Sequence, residues 1–403
     1  MDELFVASLY KSNDERIEID LEPLVYDEWL SDAATNPQLL SIIQRASQLL
    51  NGTPVTAKTR KPFDEANNVM DIHLDDGRSA FVRILAYLAD ESPTEMWKRA
   101  RLFAELSILR WLESNASGLP VPRVLVFDDD KHLLITTFMP GLDANHAYPR
   151  LSPSAKERSV ASWAPISVLM FRLPAPQRFG MVGESLVQVA SYLSVSPEHT
   201  FDTDKTVDLL SFFTSAISSR RARSLVVNNV EEHEILCRRL DRLLEGLNPL
   251  IALAQQTPYM SRFAVTHNDL RPDNIILEET SGDVTGIVDW EHNSCMPACM
   301  SAGYPSWIRS PIVESPMYSN PKSKMVYFFH EPRGERNRLC DLYEKTVKEL
   351  DDEYYNCLIH GTRLRDALAW IEISDSDDDG FAMARWTEEH LFQNGVGTDH
   401  RCA

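Results

Sequence analysis

The six cysteines (Cys237, Cys295, Cys299, Cys340, Cys357 and Cys402) are scattered through 403 residues, and no two stand at the Cys-x-x-Cys spacing of a zinc site. No secretory signal is evident, so they read as reduced thiols of a cytoplasmic protein. No apolar run approaches the ~20 residues of a membrane-spanning helix. Basic residues are in deficit, with Lys+Arg at 40 against Asp+Glu at 60 and a formal net charge of −20. That balance argues against nucleic acid, whose phosphates require clustered Lys and Arg. It suits a cationic ligand drawn to an acidic cleft, and it equally suits a chain that is merely kept soluble. Internal repeats, low-complexity tracts and a Gly-x4-Gly-Lys phosphate loop are all missing. So are the Gly-x-Ser-x-Gly and His-Glu-x-x-His signatures, which leaves the common serine and zinc hydrolases without their residues.

What is present is an ordinary globular composition, 43% hydrophobic and 25% charged, on a chain long enough for one large domain or two lobes. The informative stretch is Val265-Thr-His-Asn-Asp-Leu-Arg-Pro-Asp-Asn-Ile-Ile-Leu277. His267, Asp269 and Asn274 occupy a polar loop between two strand-like runs, and the next run, Gly286-Ile-Val-Asp289, ends in a carboxylate. Two strands flanking a loop, then a strand closing on Asp, bring Asp269, Asn274 and Asp289 to one end of a small sheet. One carboxylate can take a proton from an attacking hydroxyl. The other, with the amide oxygen, can hold Mg²⁺ on a nucleotide phosphate. The bland alternative is a polar hairpin loop with a capping Asp.

His267-x-Asp269-x4-Asn274 followed by Asp289-Trp-Glu291 resembles the catalytic and metal-binding segment of the aminoglycoside phosphotransferase and choline kinase family. The resemblance implies an α+β, bilobal protein-kinase-like fold, with a small antiparallel N-terminal lobe over residues 1–138 and a mainly helical lobe over 139–403. It implies ATP and Mg²⁺ as cofactors and a hydroxyl of a small molecule as acceptor; the charge balance tilts only slightly toward a cationic one. Asp269 is then the base, His267 a brace of the loop, Arg271 a cation against the transferring phosphate, and Asn274 and Asp289 the metal ligands. Trp290 departs from the Asp-Phe-Gly of protein kinases and points to the small-molecule branch.

Three strands, Val55 to Lys61, Val69 to Leu74 and Ser79 to Leu85, follow a helix over Pro37–Leu50. Residues ahead of that helix read as a further helix or a loose arm. The turn Phe63–Val69 falls where kinases fold a loop over the phosphates; Ala66 stands where relatives commonly carry glycine, which leaves Asn67 and Asn68 as the polar contacts. This departure motivates a second expectation, a catalytically impaired pseudokinase acting as a binding or scaffolding module. Ser92-Pro-Thr-Glu95 is a capping box that opens a helix to about Ser114. Glu105 lies within its stripe of Leu102, Leu106, Leu109 and Leu112, and a carboxylate there needs a cation, for which Arg83 is the candidate. The run into Met139-Pro-Gly141 resembles the inter-lobe hinge, with adenine bonded at the backbone of Thr137 and Met139 and Thr136 behind it. Further on, Pro153–Leu173 reads as a helix interrupted by Pro165, Val207–Arg221 as a helix ending in the solvated cluster Arg220–Arg223, and Glu231–Leu247 as another. Met296–Trp307 resembles the segment that shapes the family's acceptor pocket, helices follow over Gly334–Leu350 and Leu364–Ile373, and Asp375–Gly380 reads as an exposed loop. The sequence leaves the oligomeric state open.

Overall fold

The computed structural model describes residues 5–10, 16–21, 26–28, 37–60, 68–84, 93–182, 208–227, 229–309, 330–373 and 377–393. Strands β1 (Phe5–Tyr10) and β2 (Arg16–Leu21) pair as an antiparallel hairpin. Strand β3 (Tyr26–Glu28) then joins β4 (Pro54–Arg60), β5 (Asn68–Leu74), β6 (Ser79–Ile84), β7 (Val124–Asp128) and β8 (Leu133–Thr137) in one six-stranded sheet. Its order is β3-β4-β5-β6-β8-β7 and every pairing is antiparallel. The segment expected to be a helix or arm therefore supplies strands, one of them at the sheet's edge. Short edge strands of three residues carry too little periodicity to be read.

Side-chain alternation along β8 shows why this sheet is covered on both faces. Leu133 and Ile135 pack with Ile43, Ala46 and Leu50 of the Pro37–Leu50 helix, whereas Leu134 packs with Leu102 and Leu106 of the Pro93–Asn115 helix. The helix bearing Glu105 is thereby fixed against the sheet bearing Arg83.

Beyond β8 the chain crosses Met139-Pro-Gly141. Gly141 has φ +121°, and a Cβ there would lie 2.2 Å from the Leu277 carbonyl oxygen, so only glycine fits. Strand β9 (Leu142–Asp143) pairs with β11 (Ile275–Leu277), which pairs with β12 (Val284–Ile287). Strands β10 (Phe263–His267) and β13 (Asn293–Pro297) form a separate antiparallel pair. Around these short strands the remaining helices close a single large core containing Trp163, Phe171, Trp290, Tyr343 and Trp386.

Several boundaries differ from expectation, each for a local reason. The helix Pro153–Arg172 continues through Pro165, and Val230–Gln256 continues through Pro249. Each proline is exposed, as are Ala161 and Glu245 four residues earlier, so the carbonyls that lose a partner face water. The helix Leu209–Val227 runs past the Arg220–Arg223 cluster, which is not a solvated end: Arg220 is buried and Arg221 donates to Asp241 at 2.5 Å. The acidic run is not wholly a loop, since a helix begins at Asp377 and reaches Thr387, while residues 374–376 lie outside the described residues. Among the described residues no helix is long and apolar enough to cross a membrane.

Candidate active site

The polar loop between β10 and β11 is built by hydrogen bonds that the sequence motif itself supplies. Asn274 donates through Nδ2 to the Asp269 backbone oxygen at 2.8 Å and to Asp269 Oδ2 at 3.2 Å. Its own carbonyl accepts from Val288 N–H at 3.0 Å, which joins the loop to the turn that carries Asp289. His267 is buried and T-stacked on Trp290, with ring centroids 4.8 Å apart. Its Nε2 bonds the Val288 carbonyl at 2.9 Å and its Nδ1 accepts from Asp269 N–H at 3.2 Å. That pattern assigns the proton to Nε2, and burial holds the imidazole below its usual value, so it stays neutral. These two bonds tie the imidazole to the Asp289 turn and to the backbone of Asp269.

Arg271 forms a forked pair with the base candidate, Nε to Asp269 Oδ1 at 2.8 Å and Nη2 to Oδ2 at 3.2 Å. Its side chain remains 63% exposed, so the fork can swing away. Asp273 beside it accepts from Asn145 Nδ2 at 2.5 Å.

Asp289 follows β12 with φ 65° and ψ 51°, a left-handed backbone. Its Oδ1 accepts from Arg83 Nη1 at 3.1 Å, and Oδ2 has no partner among the described residues. Burial alone would raise this carboxyl, but the Arg83 charge, with the nearby His267, His292 and Arg101, holds it below the usual carboxylate range. The Arg83–Glu105 ion pair expected from the helix stripe is formed, at 2.5 Å and buried on both sides. Burial pushes the Glu105 carboxyl up against the pull of that guanidinium.

Sequence reasoning missed Glu291 and Arg101. Glu291 is fully buried and is gripped by Arg83 and Arg101 together. Arg101 also donates to His292 Nε2 at 3.0 Å. The signals were there: Glu291 is the last residue of the Asp-Trp-Glu run, and Arg101 lies one helical turn before Glu105.

A cavity of about 360 Å³ opens between the six-stranded sheet and the β9-β11-β12 sheet. Arg83, Glu105, Asn274 and Asp289 are among its lining residues, as are Thr136, Thr137 and Met139. Thr137 N–H is already bonded to the Arg123 carbonyl at 2.9 Å. Lys58, also missed, lines the cavity and has no ion pair or hydrogen bond among the described residues. Asn67 and Ala66 lie outside the described residues, and of Asn68 only the backbone, at the start of β5, is described.

The donor set suits a hard divalent cation. Both of Asn274's side-chain bonds use Nδ2, which leaves its amide oxygen, together with Asp289 Oδ2, for metal coordination. Among the described residues no cluster of three or more His, Cys, Asp or Glu could hold a metal unaided.

Comparison with known proteins follows the same lines. The chain is 25% identical over 383 residues to clavilactone A biosynthesis cluster protein Y of Ampulloclitocybe clavipes, covering 92% of each chain. It is 27% identical over 196 residues to an aminoglycoside 3'-phosphotransferase of Streptomyces fradiae, covering 47% of this chain and 57% of that one. A Thermobifida fusca protein described as a candidate fructosamine-3-kinase superposes with a TM-score of 0.51 at 14% identity, over 87% of this chain and 99% of the other. The family model of the phosphotransferase enzymes matches residues 61–300, which run from the end of β4 through the Asp269 loop to just beyond β13, and the chain belongs to that family.

Proposed function

We propose that this protein transfers the γ-phosphoryl group of ATP to a hydroxyl of a small molecule in the cytoplasm, at a site between lobes spanning residues 1–138 and 139–403. The observation that carries this reading is the Asn274 bridge, which ties Asp269 to the Asp289 turn beside a cavity holding the Arg83–Glu105 pair. Membership of a phosphotransferase family supports the reaction class. The biosynthesis-cluster name of the Ampulloclitocybe clavipes relative supports a metabolite acceptor.

In this reading Asp269 orients the acceptor hydroxyl and takes its proton. The hydroxyl oxygen bonds to the γ-phosphorus as the bond to the ADP oxygen breaks, giving a phosphate monoester and ADP. Asn274 and Asp289 would hold Mg²⁺, which would supply positive charge to the triphosphate. Arg271 leaves Asp269 for the transferring phosphate and so frees the base. Arg83, engaged by three carboxylates, fixes the Asp289 turn against the Glu105 helix, and Lys58 provides a cation for the triphosphate. The Met139 N–H and the Thr137 carbonyl receive the adenine.

The test is Mg²⁺-dependent ADP release with a metabolite panel, comparing the parent with Asp269→Asn and Asp289→Ala. ADP release that vanishes in both variants supports the reading. A parent that binds nucleotide but turns over no faster than the variants is a scaffold, and the reading fails.

A further inference from the structure

Asp273 lines the cavity of about 360 Å³, and the proposed transfer gives its carboxylate no part. Other carboxylates of that wall are committed. Glu105 and Asp289 hold Arg83. Asp143, whose side chain is fully buried, accepts from both the backbone N–H and Nδ1 of His146. Asp71 stands opposite Lys58 in the β4–β5 pairing, on the six-stranded sheet. Asp273 belongs instead to the turn Pro272–Asn274 that leads into β11, one residue before the metal-ligand candidate Asn274.

The two oxygens of Asp273 are in different states. Oδ1 accepts from Asn145 Nδ2 at 2.5 Å, which fixes the carboxylate's orientation. Oδ2 has no hydrogen bond among the described residues, since Arg271 Nη1 stands 3.9 Å from it, past hydrogen-bonding length. The side chain is 40% exposed, so this oxygen is open to a ligand and already aimed. Its position follows from the covalent order of a nucleotide, which runs base, ribose, phosphates. With the base at the Thr137–Met139 backbone and the phosphates at Asn274 and Asp289, the ribose crosses the seam between them. Two contacts close that seam. Asp143 of β9, just past Met139, pairs with Ile276 of β11, and Asn145 in the short helix Ala144–Ala147 reaches Asp273. A carboxylate oxygen only accepts, and a ribose hydroxyl can donate.

We propose that Asp273 Oδ2 accepts a hydrogen bond from a hydroxyl of the nucleotide's ribose, with Asn145 as the positioning residue, so that the site selects ribonucleotides over their dideoxy counterparts. The proposal rests on the phosphotransferase reading for the way the nucleotide lies in the cavity. It concerns binding, which is measured apart from turnover. Because the contact is partly exposed to water, the selection is modest rather than absolute.

The experiment titrates the full chain, with Mg²⁺ present, by calorimetry against ATP and against 2',3'-dideoxy-ATP, which keeps the base and phosphates and lacks both hydroxyls. The parent is expected to bind ATP about tenfold more tightly than the dideoxy nucleotide. Asp273→Ala is expected to weaken ATP about tenfold and to leave the dideoxy nucleotide unchanged, so that the preference disappears. A merely structural role for Asp273 would weaken both nucleotides alike. Asn145→Ala, which frees the carboxylate to turn, should lose part of the preference. Equal binding of the two nucleotides by the parent, or a preference that survives Asp273→Ala, overturns the proposal and leaves the phosphotransferase reading standing. Ribose-dependent binding without phosphate transfer to any metabolite supports the contact and removes that reading instead. A parent that binds neither nucleotide overturns both.

Discussion

Replacing Glu291 by Gln probes the part of the site that only the folded structure reveals. The cluster holds three carboxylates (Glu105, Asp289 and Glu291) and two guanidiniums, of Arg83 and Arg101. After the substitution Arg83 keeps two acids, whereas Arg101 loses its close partner while remaining only 19% exposed. Burial already pulls Arg101 down to about 10, so its charge is poorly solvated. A close pair at an effective dielectric of ~20 is worth about 4 kcal/mol, and breaking a buried pair from one side costs about 3–5 kcal/mol. Gln keeps an acceptor oxygen for one arginine and turns its amide N–H₂ toward the other, so a loss of about 3 kcal/mol or more is expected, out of a total stability of about 5–15 kcal/mol. Urea unfolding should show the midpoint falling by about 0.5–1 M, since m for a chain of this size is about 3 kcal/mol/M or more. Arg101→Leu in the same background should recover part of the loss, since the guanidinium that faced Glu291 is then removed. A Glu291→Gln protein within about 1 kcal/mol of the parent, or a double variant that is simply additive, would refute the reasoning.

Four further outcomes are expected. Asp269→Asn should lower kcat by about 10²–10⁴-fold with KM for ATP little changed, as steady-state kinetics can check. Lys58→Ala should raise KM for ATP and leave kcat nearly intact, and an unchanged KM would remove Lys58 from the phosphate site. Gly141→Ala should cost more than ~1 kcal/mol in chemical denaturation, because the new Cβ meets the Leu277 carbonyl oxygen at 2.2 Å in a left-handed backbone. His330 is held down to about 4 by burial, with Lys156 adding to it. The unfolded imidazole takes its proton near pH 6.5 and the folded one only near 4, so its contribution is full above 6.5 and is lost as pH falls to 4, up to about 3 kcal/mol. His330→Gln should flatten that slope, and an identical slope would contradict it.

How much of this was readable depended on how local each signal was. The Asp269 loop, the Asp289 turn and the stripe around Glu105 are short patterns in which neighbours in sequence are neighbours in space. The Arg83–Glu105 pair followed from a cost: a carboxylate in an apolar stripe needs a cation. Glu291 and Arg101 escaped notice because their meeting depends on how a helix sits against a turn about 190 residues later in the chain. Strand β3 was hidden by its three-residue length, and the Arg220 cluster was misread because composition cannot tell a buried arginine from a solvated one.

The left-handed backbone at Asp289 has a consequence for which residues evolution can try there. Asp and Asn tolerate that region better than other side chains except glycine. Glycine would relax the chain but bring no oxygen, Asn would bring a neutral one, and Glu would carry the charge on a backbone that resists it. Aspartate alone meets both demands, so the alphabet at this position is narrowed to one letter by chain geometry before any ligand enters the account.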